Sequence, residues 1–203
     1  MSTTIFIILI TGITSFLAFR DANIFNKMKF NPYMVLHRKQ WYRFLSYSLL
    51  HADWGHLLIN MFVLFSFGSS VEQIFEIYFE GDSILYFVLL YVGGVVFSVL
   101  YSFAKHKNNH WYNAVGASGA VSAVLFSSII MYPQGEIMFL LLPIPIPAFI
   151  FGILYLAYSA YMAKKASDNV GHDAHFWGAV YGIAFTIILR PAFFTEFFNY
   201  IFN

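Results

Sequence analysis

One hydroxyl in this 203-residue chain stands where it could do chemistry: that of Ser118, in NAVGASGAVSAV (residues 113–124), held between Ala117 and Gly119. A serine becomes a nucleophile when a neutral imidazole beside it takes its proton during attack and returns it to the leaving group. His175, in AHFWGAVYG, is the candidate base. His56 and Asn60, in GHLLINMF, lie one turn apart on one helical face and are candidate donors to a developing oxyanion. The Ser118 backbone N–H is another candidate, because amides at a helix start lack internal partners. Asp173 is two positions from His175, so on a helix it points elsewhere, and it is given no part in a triad.

The elements that must carry these residues follow from composition. The chain is 60% hydrophobic, 21% aromatic and only 10% charged, against about a quarter charged in a soluble domain. Six uncharged apolar runs approach or reach the roughly 20 residues that a membrane-spanning helix needs. They are Thr3 to Phe19, Gly55 to Val71, Ile84 to Ala104, Trp111 to Tyr132, Ile137 to Ala163 and Ala174 to Leu189. The first begins MSTT, without the basic region or cleavage site of a signal peptide, and is kept as a helix. The expected fold is therefore an all-α, six-helix membrane bundle, one domain over residues 1–203, with no internal repeat or linker.

Each crossing reverses the chain, so the second, fourth and sixth helices start from the same side. Parity alone then gathers His56, Asn60, Ser118 and His175 into one layer. Gly119 and Ala123 lie four apart on the fourth helix, and Gly178 and Gly182 four apart on the sixth. This small-xxx-small spacing lets helix backbones approach closely. His175 shares the stripe of Gly178 and Gly182, so contact of the two stripes brings the imidazole within reach of Ser118.

Between the first two helices, the long connection from Arg20 to about Trp54 carries Trp41, Tyr42 and Arg43. Their amphipathic character suits a membrane–water interface, and the segment is expected to fold against the bilayer surface. Pro143, Pro145 and Pro147 postpone the fifth helix to about Pro147. That helix presents Phe149, Phe151, Tyr155 and Tyr158 as a bulky surface, which is equally read as one that simply meets lipid. Glu72 reads as a structural hydrogen-bonding residue. A net charge of +1 without a basic cluster argues against nucleic acid as a partner, and the absence of cysteine excludes disulfides and thiolate chemistry.

In order and context these residues resemble the rhomboid family of intramembrane serine proteases. The resemblance rests on HADWGHLLIN, on Gly116-Ala117-Ser118-Gly119 as G-x-S-G, on AHFWGAVYG as A-H-x-x-G-x-x-x-G, and on Trp41 and Arg43 in the first connection. It implies Ser118 as nucleophile, His175 as general base, His56 and Asn60 around the oxyanion, and His51 as a supporting histidine. It further implies cleavage of transmembrane or membrane-anchored proteins in contact with lipid, without metal or cofactor, with lateral entry near the second and fifth helices and a setting in the bacterial inner membrane. Many bacterial members carry a tyrosine four residues after the serine, against the imidazole; this chain has Ser122, which bears on how its histidine is positioned.

Other readings stay open. HADWGH and HDAH have the look of histidine boxes in membrane di-iron oxidases, although no H-x-x-H-H box is present and His37, His106 and His110 fall in scattered loops. A catalytically silent, client-binding relative would use the same scaffold, and a small transporter is a further alternative. Orientation is also divided. Ten of the eleven Lys and Arg residues fall on the side where the even helices begin, and only Arg190 falls opposite. Charge bias thus turns the site toward the cytoplasm, whereas the family resemblance turns it outward.

Overall fold

The computed structural model describes residues 2–139, 142–165, 168 and 170–202. It is a mostly helical bundle. In chain order it runs α1 (Thr3–Arg20), α2 (Ala22–Met28), α3 (Pro32–Arg38), α4 (Arg43–Ser46) with a 3-10 turn at Tyr47–Leu49, and α5 (Trp54–Tyr78). Then come α6 (Ser83–Ser98), α7 (Leu100–His106), α8 (Ser118–Met131), an antiparallel hairpin of β1 (Glu136–Phe139) and β2 (Leu142–Pro147), α9 (Ala148–Lys165), α10 (His172–Leu189) and α11 (Ala192–Phe202).

Each of the six apolar runs contains a helix, but their lengths differ from expectation. Among the described residues three helices are long and apolar enough to cross a membrane: α1, α5, and α6 continued by α7. A fourth is reached if α10 and α11, bent by 111° at Arg190–Pro191, count together. The 14-residue α8 rises only about 21 Å. It starts at Ser118 rather than Trp111 because Trp111–Ala117 is held out of helix by external partners. Phe30 and Ala114 exchange backbone hydrogen bonds of 2.9 and 3.0 Å, and the Asn31 amide donates to the His110 and Tyr112 carbonyls. The prolines delay α9 to Ala148, as expected, and the residues before it form the hairpin.

The first connection is not an extended loop. It folds into three short helices and a turn, and the first two helix starts are marked by chemistry the chain supplies: Asp21 caps α2, and Asn31 caps α3 with Pro32 behind it. Arg43 is a buried pin rather than an interfacial anchor, only 4% exposed. It donates to Gln40 Oε1 at 2.6 Å and to the carbonyls of Asn26 and Lys29. Trp41 does stay half exposed, stacked on Phe44.

α8 is the axis of the bundle, packed against α5, α6 and α10. Every residue from Gly119 to Met131 is buried. The glycine stripes set its closest neighbour: a methyl group at Gly178 would lie 2.1 Å from the Gly119 carbonyl oxygen, and one at Gly182 would lie 2.1 Å from that of Ala123. α5 runs on to Tyr78 and includes Glu72, whose carboxylate accepts from Ser2 Oγ and Thr3 N at 2.6 Å and from Thr4 N at 3.3 Å. Glu72 thus closes the open amide end of α1, which is the structural role expected of it.

Candidate functional site

Ser118 is the first residue of α8 and the only one in that helix that is not buried. Its surroundings are built from the segment before it. Gly116 has φ of +122°, a region open to glycine and strained for other residues. The space beside it is also taken: a Cβ there would meet His56 Cε1 at 2.8 Å and Nε2 at 3.0 Å, with Ser118 Oγ at 3.8 Å. The His56 imidazole and the Ser118 hydroxyl therefore converge on one side of Gly116. Gly116 N donates to the Tyr47 carbonyl at 3.1 Å, which ties this turn to the first connection.

His51 is fully buried and organises the same turn. The Ser15 hydroxyl gives its one proton to the Leu49 carbonyl at 2.8 Å, so at the 3.0 Å contact between Ser15 Oγ and His51 Nδ1 the histidine is the donor. This leaves His51 Nε2 as an acceptor, and it receives the Ala117 N–H at 3.5 Å, one residue before Ser118. Burial, aided by the nearby His56, lowers the His51 pKa to about 3, so the ring is neutral at ordinary pH. His51 and His56 meet edge to face, ring centroids 4.9 Å apart.

Asn60 is buried one turn along α5, and its amide donates to the His56 carbonyl at 2.8 Å. One N–H is thereby used within the helix. Among the described residues the amides of Ser118, Gly119 and Ala120 have no partner: Ala117 at the N-cap makes no side-chain cap, and Val121 is the first to bond back, to the Ala117 carbonyl at 2.9 Å.

His175 arrives on the first turn of α10. A Cβ on Gly119 would lie 3.3 Å from the Ala174 carbonyl, so this turn passes directly beside the start of α8. Gly178 and Gly182 make that approach possible. The imidazole lies 6.2 Å from the Tyr155 ring at an interplanar angle of 30°, and 5.9 Å from His172. Among the described residues no hydrogen bond joins Ser118 to His175. The two are brought to neighbouring helix starts, but the side chains are not engaged.

Asp173 is turned to α7, where it accepts from the Ser102 hydroxyl, which in turn accepts from Tyr112 OH at 3.1 Å. His172 pairs with Asp168 at 3.2 Å. No group of three His, Cys, Asp or Glu among the described residues converges as metal ligands.

Tyr155 was legible only as part of an aromatic surface. It turns inward, and its hydroxyl shares a 2.8 Å hydrogen bond with Ser122. The signal was the pairing of a short polar residue at 122 with a tyrosine on a facing helix, which spacing alone does not join. Tyr158, by contrast, remains 56% exposed, edge-on to His172.

A profile described as "Rhomboid domain" matches residues 38–192. RHOMBOID-like protein 12, mitochondrial, of Arabidopsis thaliana is 27% identical over 163 residues, covering 70% of this chain and 45% of the relative. Presenilin-associated rhomboid-like protein, mitochondrial, of Homo sapiens is 30% identical over 148 residues, covering 66% of this chain and 34% of the relative. Rhomboid-like protein 11, chloroplastic, of Arabidopsis thaliana is 28% identical over 163 residues, covering 73% and 52%. The chain thus spans about a third to a half of the length of the curated relatives it matches. Their names point to mitochondria and chloroplasts and lend nothing to a bacterial inner membrane.

Proposed function

The chain belongs to the rhomboid family, and from that premise we propose that it is an intramembrane serine endopeptidase with Ser118 as nucleophile and His175 as general base. The observation that carries the reading is the exposure pattern of α8. Thirteen consecutive residues, Gly119 to Met131, are buried, and the one that keeps access is the serine, at a helix start beside two histidine-bearing elements.

In this reading the six apolar helices α1, α5, α6–α7, α8, α9 and α10 are the traverses of the bundle. A helix of about 21 Å falls short of a hydrocarbon core of about 30 Å, so Ser118 lies recessed below one surface. A substrate helix arrives with its carbonyls bonded internally and must unwind before attack, which selects transmembrane or membrane-anchored proteins with weak helical segments.

Ser118 Oγ then bonds to the scissile carbonyl carbon while His175 takes its proton. The oxygen becomes an oxyanion, met by the uncommitted amides at the start of α8 and by the His56 N–H, with the second Asn60 N–H in support. Collapse breaks the C–N bond, and His175 hands the proton to the leaving amine. Water repeats the sequence on the acyl-enzyme. The engaged Ser118–His175 hydrogen bond belongs to the substrate-bound state, since catalytic hydrogen bonds often tighten only there.

Purified protein in liposomes, given a transmembrane model substrate and separately a serine-reactive fluorophosphonate, tests this. Ser118→Ala and His175→Ala are each expected to cut turnover by about 10⁴ or more while leaving a folded protein. Undiminished cleavage by either variant overturns the dyad. A second reading, a catalytically silent client-binding protein, is favoured by the unengaged Ser118 and His175. It predicts that the wild type takes no label and cleaves nothing, yet co-purifies with the model substrate.

A further inference from the structure

Three helices meet at one side chain. Tyr155 belongs to α9, shares a 2.8 Å hydrogen bond with Ser122 on α8, and lays its ring 6.2 Å from the His175 imidazole on α10 at an angle of 30°. Ser122 lies one helical turn beyond Ser118, on the same face. The tyrosine is itself fixed from behind by Phe126, at 5.6 Å, and by Phe151, at 5.7 Å. α9 is seated on α8 just below, where a Cβ on Gly152 would touch Ile129 and Phe126 at 3.4 Å.

An imidazole on the first turn of a helix has more than one rotamer open to it unless a neighbour holds it in one. Among the described residues no carboxylate holds His175: Asp173 is committed to Ser102, and Asp168 to His172. Among the described residues two rings neighbour the His175 imidazole: His172 meets it edge-on at 5.9 Å, and Tyr155 lies more nearly parallel to it at 6.2 Å, so the flat partner is Tyr155.

We propose that Tyr155 is a positioning residue for His175, supplying from α9 the support that aims the base at Ser118; this rests on the Ser118–His175 reading above. The Ser122 hydroxyl anchors the tyrosine, so position 122 serves the base through a second side chain.

The test uses the full-length protein in liposomes, reading two rates: fluorophosphonate labelling of Ser118, which needs no protein substrate, and cleavage of a transmembrane model peptide. Tyr155→Phe and Ser122→Ala each remove the hydrogen bond and keep the ring. Each is expected to slow labelling and lower kcat about two- to tenfold with KM nearly unchanged, the worth of one hydrogen bond. Combined, they are expected to do no more than either alone, because both break the same link. Tyr155→Ala, which also removes the ring, is expected to fall about tenfold further, and Tyr155→Phe rescues most of that loss. Unchanged labelling in Tyr155→Ala, losses confined to KM, or additive losses in the double variant would overturn the inference while leaving the dyad intact. A wild type that takes no label at Ser118 overturns the dyad, and the inference with it.

Discussion

Gly178 faces the carbonyl of Gly119 so closely that a methyl group in its place would sit 2.1 Å from the oxygen. The contact is backbone to backbone, so no side chain can swing aside to make room. Gly178→Ala is therefore expected to destabilise the fold by about 1–3 kcal/mol, the usual toll of overpacking. Gly182→Ala is expected to act alike. Gly12→Ala on α1 is the control, since nothing lies within 4 Å of its added methyl, and it should be neutral or slightly stabilising. Thermal unfolding in detergent reads all three; an unchanged midpoint for Gly178→Ala contradicts the packing.

Gly116 carries two demands at once, a φ of +122° and a missing Cβ against His56. Gly116→Ala is expected to cost about 1–3 kcal/mol in backbone strain and to push His56 from Ser118. Cleavage should fall further than stability does. Equal turnover with a lowered melting midpoint would show that the turn matters to folding alone.

His51 is neutral and buried, with its pKa lowered to about 3 by burial and by His56. The unfolded chain protonates this ring near pH 6.5, while the folded protein does not until far lower. Folding is thus independent of His51 above about pH 6.5. Below it, the histidine costs about 1.4 kcal/mol per pH unit, levelling off near pH 3. His51→Asn keeps a donor for Ser15 and removes the titration. Its stability curve is expected to run flatter than that of wild type between pH 6 and 4, roughly; parallel curves contradict the assignment.

Glu72 gathers the first amides of α1. Glu72→Ala is expected to cost about 1.5–3 kcal/mol, as for hydrogen bonds to a charged acceptor. It should speed hydrogen exchange at Thr3 and Thr4 without touching fluorophosphonate labelling of Ser118. Protection that stays unchanged at both amides argues against the cap.

What could be read before folding was whatever repeats along a helix. The apolar runs, the stripe of Gly178 and Gly182, the delay imposed by Pro143, Pro145 and Pro147, and the layer that parity assigns to His56, Ser118 and His175 are all local periodicity or counting. What escaped depends on partners distant in the chain. Trp111–Ala117 is apolar enough to read as helix, yet Phe30 and Asn31, some eighty residues earlier, hold it open. Arg43 reads as an interfacial cation until Asn26 and Lys29 offer it their carbonyls. Tyr155 reads only as part of an outer aromatic surface of its helix until Ser122 shares a hydrogen bond with its hydroxyl. Beyond Pro191, α11 lay past the last apolar run counted, and its alternation of phenylalanines with polar residues fits no spanning pattern.

The elbow after α10 bears on a group at the other end of that helix. α11 departs at 111° and is anchored to α5 by the buried Phe193 against Tyr78, while the Arg190–Glu196 pair spans the bend itself. A rod that ends in a crossbar cannot slide lengthwise. His175 rides about 21 Å from that crossbar, so the height of its ring answers to the elbow at the far end as well as to the seat of Gly178 and Gly182 on α8. Shortening or lengthening α10 by a single residue would shift the imidazole by about 1.5 Å and swing it by about 100°, while Ser118 stayed where it is.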